Sequence, residues 1–132
     1  MSDPGPGIRF ARITFFAAGI YGLLVITPLY FLEARIGRDA PPAITHPEFF
    51  YGFTGSALVW QFVYLLIGSD PTRFRPVMLL GVLAKVAYGA TALILFVQHR
   101  LATSTFAVSA VDLLLALLFF VSYIRTQEPA AS

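Results

Sequence analysis

Residues 77–97 read VMLLGVLAKVAYGATALILFV, an apolar run interrupted by one charge, Lys85. A helix rises about 1.5 Å per residue, so about twenty such residues cross the ~30 Å hydrocarbon core of a bilayer. The run is therefore expected to span a membrane as a helix. Three further stretches have the same character: 13–32, 49–68 and 105–124. The only other charge within the four is Asp112, in the last. Strands of a membrane barrel would show alternating segments of about ten residues, and no such alternation is present. Only helices satisfy their backbone groups inside lipid within one segment. The expected fold class is all-α, a four-transmembrane-helix up-down bundle, with residues 1–132 forming a single integral membrane domain.

The composition agrees. The chain is 58% hydrophobic and 12% charged, with a mean hydropathy of +0.77. Soluble domains carry about 25% charged residues, and a chain this short cannot hide such an apolar surplus in a soluble core. The net charge of +2 comes from basic residues scattered near span edges rather than from a run, so nucleic acid is not an expected partner. There is no cysteine, which excludes disulfides and Cys-ligated metals or clusters. The first apolar stretch is longer than the ~7–15 residues of a signal-peptide core and is expected to be retained.

Between the spans lie polar segments. Residues 1–8 are rich in Pro and Gly and are expected to form an irregular tail. Residues 33–48 form a longer polar connection, and 69–76 a short turn in which Asp70 suits a helix N-cap and Pro71 a first helical position. The short connections are expected to make the second and third spans, and the third and fourth, antiparallel neighbours. Arg9, Arg12, Arg73, Arg75 and Arg125 would share one side, against Arg35, Arg38 and Arg100 on the other. That bias favours cytoplasmic termini.

An ionisable residue at bilayer depth is costly unless paired or hydrated. Lys85 and Asp112 fall within a few residues of the same level on adjoining spans, so a direct or water-bridged pair is within reach. Gly81, Lys85, Tyr88, Gly89 and Ala92 lie on one helical stripe, and Ser109, Asp112 and Ala116 form a second. Gln61, at the depth of Lys85, and Tyr64, one turn further along, complete a possible mid-bundle pocket: Gln61, Tyr64, Lys85, Tyr88 and Asp112. The plain structural alternatives are an ion pair that sets helix register, packing faces, and Gln61 as hydrogen-bonding glue between helices.

A second, weaker polar group is Glu33, His46 and Glu48 at the outer ends of the first two spans. A histidine between carboxylates can bind a metal or titrate near neutrality, but the spacing matches no metal signature, and solvated loop residues are the simpler reading. No metal or other cofactor is expected. His99 reads as a solvated loop residue. Gly19, Gly22, Gly52 and Gly55 mark faces for close packing, within the chain or between copies. Thr27-Pro28 is expected to kink the first helix. Trp60 is too deep for an interfacial anchor and is expected to face lipid or another subunit.

The run from Glu48 to Gly55, Trp60-Gln61, the turn Ser69 to Met78 and Ala110-Val111-Asp112-Leu113 resemble short bacterial four-span membrane proteins of no assigned activity. The likeness spans about residues 46–125. In size and plan the chain is also similar to the DoxX-like proteins. The resemblance implies a multi-pass protein of a bacterial inner membrane. Small multidrug exporters place a glutamate deep in the first span, which is absent here. The expected role is an accessory or structural subunit of a membrane assembly or homo-oligomer, its partners being the bilayer and other helices. The alternative is a carrier or binder of a small or lipid-like ligand at a proton-coupled Lys/Asp site. An enzyme built on Glu33, His46 and Glu48 is the least expected class.

Overall fold

The structure is a computed structural model, and it describes residues 3–127. Five α-helices follow in order: α1 Pro6–Ile26, α2 Glu33–Asp39, α3 Pro47–Ser69, α4 Arg75–Val97 and α5 Thr103–Arg125. No strand occurs among the described residues. A 3-10 segment, Thr27–Phe31, continues α1. The four long helices are each long and apolar enough to cross a membrane. Their outward side chains are bare hydrocarbon: Leu24 is 72% exposed and Leu83 64%. Lipid is the solvent that such a surface fits.

The helices are longer than the apolar runs alone suggest. Helix α1 starts at Pro6, inside the expected irregular tail, because proline is preorganised for the first helical turn and its missing N–H is no loss there. Residues 1–2 and 128–132 lie outside the described part of the chain. Pro28 lacks the N–H for an α-helical bond, and the backbone tightens at Thr27 into the 3-10 segment, where the kink was expected. The polar connection is not all loop, since Glu33–Asp39 forms the short α2, with Arg35 and Asp39 paired one turn apart. Asp70 accepts the Arg73 N–H at 3.2 Å within the short turn, but it does not cap the third span as expected: α4 begins only at Arg75, after Phe74, and Pro71 lies in the turn. His99 closes α4 with a left-handed backbone, φ 58°, and is exposed.

The bundle runs up and down. At one end the start of α1, the end of α3, the start of α4 and the end of α5 meet. Arg125 lies over the Phe10 ring at 4.7 Å, Phe16 packs on Gly68, and Arg75 donates two hydrogen bonds to the Tyr123 carbonyl at 2.9 and 3.0 Å. The dry core sits towards this end. Phe15 of α1 stacks on Phe119 of α5 at 4.2 Å between ring centres, Tyr64 of α3 closes on Phe119 at 4.9 Å, and Ala11, Ala18, Ile67 and Met78 fill the gaps.

Helix pairing differs in one respect from the expected pattern. Helices α4 and α5 pack along their lengths, as do α1 and α3, with α1 against α5 closing the bundle. The second and third spans, α3 and α4, meet far less despite their short turn. Small residues explain where backbones come close: Gly19 and Gly22 on α1 against α3, and Gly89 on α4 against Leu113 of α5. The face that α3 turns to α4 carries Phe53, against Tyr88, and Tyr64, against Gly81 and Lys85, and these rings stand between the two axes. A short turn ties ends together and does not dictate which faces touch. Gly52 has nothing near its Cα, and Gly55 meets only the Tyr30 hydroxyl, so this glycine pair forms no seam within the chain.

Gly22 is the tightest of these approaches along α1. A Cβ there would run into the Gln61 carboxamide. Gly22→Val is therefore expected to push Gln61 aside and cost about 1–3 kcal/mol. The check is a shifted unfolding midpoint in a titration with sodium dodecyl sulfate in mixed micelles.

Candidate functional site

Towards the end opposite the termini the α1–α3 pair and the α4–α5 pair face each other across a gap. They enclose a cavity of about 420 Å³ that reaches mid-bundle. Its inner end is closed by Tyr64, which is backed by the rings of Phe15 and Phe119. Its rim is open, since Tyr21, Phe53, Ser56 and Val108 line the cavity and are exposed.

The two charges meet in its wall. Lys85 Nζ donates to Asp112 Oδ1 at 2.7 Å, with the side chains 12% and 19% exposed. Both helices supply the approach: Gly89 admits Leu113, and buried Ser109, which donates to the Thr105 carbonyl at 2.8 Å, accepts from the Tyr88 hydroxyl at 3.2 Å. Lys85 also sits 5.4 Å from the Tyr64 ring centre, within range of its π face. One Lys85 N–H and one Asp112 oxygen are used by the bond. Two ammonium N–H groups and the second carboxylate oxygen remain for something else.

Gln61 and Tyr64 form the back of the cavity, 2% and 1% exposed. The Gln61 amide donates to the Ala57 carbonyl at 2.8 Å. That bond identifies its NH₂ end, leaving a buried Oε1 with no hydrogen-bond partner. The Tyr64 hydroxyl likewise has no partner among the described residues. All five sequence candidates, Gln61, Tyr64, Lys85, Tyr88 and Asp112, line this one cavity.

Trp60 is a correction. It lines the cavity and packs near Tyr64, 6.0 Å between ring centres, rather than turning wholly to lipid or another subunit. Its spacing to Tyr64, one helical turn, was the available signal. Tyr21, Phe53 and Val108 were also missed, because one apolar side chain in a span looks like any other. The Arg75 contact with Tyr123 was missed because it joins residues far apart in the chain.

The outer-end residues do not form one cluster. Glu33 accepts a hydrogen bond from the Tyr51 hydroxyl at 2.8 Å. His46 pairs instead with Glu48 at 3.2 Å, both well exposed. Among the described residues no three His, Asp or Glu side chains come together as metal ligands.

Fold and site together define a small multi-pass helical membrane protein with a largely apolar chamber inside its bundle, into which a few polar groups converge. Comparison with family models, curated proteins and solved structures gives no match.

Proposed function

We propose that this protein binds a small lipid-like ligand in the chamber between its four long helices. The observation that carries the reading is unspent hydrogen-bonding capacity on a largely apolar cavity wall: two Lys85 N–H groups, one Asp112 oxygen and the Tyr64 hydroxyl. Polar groups withdrawn into a membrane bundle are costly unless something satisfies them. Ligand sites have this character, mostly apolar with a few convergent polar groups. A volume of about 420 Å³ lies in the range of small-molecule sites.

The proposed setting is a bacterial inner membrane with both termini cytoplasmic. This rests on the resemblance to short bacterial four-span proteins, on the DoxX-like size and plan, and on the arginine bias. In a carrier version, protonation of Asp112 would accompany release. The competing role is an accessory subunit in which Lys85 and Asp112 only bolt α4 to α5.

Gentle extraction from native membranes followed by native mass spectrometry separates the two. The binding reading expects the protein alone or with its own copies, retaining a small molecule that is lost in Ala84→Phe, a change that fills the chamber. Stoichiometric foreign subunits and an empty chamber would replace it with the accessory role.

A further inference from the structure

The chamber also carries information about the charge of its occupant. Its lining holds one cation, Lys85, and one anion, Asp112, and no other group charged at neutral pH. The two are already bonded to each other at 2.7 Å. The site is therefore neutral as a whole, yet it keeps donors and an acceptor free. A carboxylate or ammonium head entering it would bring a third charge into a low-dielectric bundle. That charge would have to break the existing pair or remain uncompensated, and either is expensive. A neutral head that donates and accepts at once can satisfy Lys85, Tyr64 and the free Asp112 oxygen without disturbing the pair. A hydroxyl does both.

The position of the groups adds a direction. The polar wall lies at the deep end, beside the seal of Phe15, Tyr64 and Phe119, and the chamber widens to the exposed, apolar Phe53 and Val108. An elongated molecule fits with its head at mid-bundle and its apolar part towards the rim. Resting on the binding reading above, we infer that the chamber selects an uncharged, hydroxyl-bearing amphiphile over charged amphiphiles of the same tail.

Trp60 supplies the readout, because it is the chain's only tryptophan and stands in the chamber wall. The experiment uses the full chain in lipid nanodiscs and three probes with one brominated alkyl chain: the alcohol, the carboxylate and the trimethylammonium. Bromine quenches tryptophan on contact, and only the saturable part of the quenching is counted. The alcohol is expected to saturate at a concentration about tenfold or more below either charged probe. Asp112→Asn leaves the Lys85 charge uncompensated and is expected to move the preference to the carboxylate. Lys85→Gln makes the mirror change, towards the trimethylammonium. A charged probe that binds the wild type as well as the alcohol, or better, overturns the inference but leaves the chamber a binding site. If none of the three quenches saturably, the binding reading fails with it.

Discussion

Lys85→Met alone is expected to cost about 3 kcal/mol, whereas Lys85→Met combined with Asp112→Leu is expected to recover most of that loss. Removing one member of a buried pair strands the other, which typically costs about 3–5 kcal/mol. The chamber beside the pair admits some hydration, so the lower end of that range applies. Replacing both by apolar residues of similar volume removes the desolvation penalty as well as the attraction, and such changes are often neutral. Unfolding of Lys85→Met, Asp112→Leu and the double variant in dodecyl sulfate mixed micelles gives the three values, and the coupling between the two changes follows from the double-mutant cycle. Losses of the two single variants that simply add in the double variant would mean that the 2.7 Å contact carries little of the stability. Stability and function then part company: the double variant should fold while losing the donors and the acceptor that hold a hydroxyl head.

Phe119→Ala is expected to be comparably damaging, for a different reason. Phe119 is wholly buried, stacks on Phe15 and is tilted against Tyr64, so one ring joins α5 to α1 and α3. It also touches the ideal Cβ position of Gly81 on α4. Truncating a buried phenylalanine in a soluble core costs about 3–5 kcal/mol. In lipid the transfer from water does not contribute and packing alone drives association, so about 2–4 kcal/mol is expected. The same truncation breaches the inner seal of the chamber. The absence of native cysteine makes this measurable. A single cysteine at Ser56 in the wild-type background should react with a membrane-impermeant thiol reagent only from the side opposite the termini. In Phe119→Ala it should become reactive from both sides. Unchanged one-sided labelling would show that the seal does not depend on this ring.

The residues that define the site were legible to unequal degrees. Lys85 and Asp112 stood out because charge is rare at bilayer depth, and matching depths on adjoining helices put them within reach of each other. Gln61 and Tyr64 followed from depth and helical spacing along α3. Trp60 did not, because a tryptophan in mid-span reads equally well as facing lipid, and only the packing of α3 against its neighbours turns it to the chamber wall. Glu33, His46 and Glu48 looked like a group because they flank one connection. The tertiary structure sends Glu33 to Tyr51, one turn further along α3, and leaves His46 with Glu48.

By itself the sequence determined the solvent, the number of spans, their helical state and their alternating direction. These follow from composition, run length and the need to satisfy backbone groups in hydrocarbon, all local properties of the chain. Only the tertiary structure decided which helix faces meet. Glycine and alanine let α1 approach α3 and α4 approach α5, while the aromatic face of α3 holds α4 away. The chamber is the space left by that mismatch. Its volume and its seal depend on side chains from four helices at once, and no single stretch of sequence contains them.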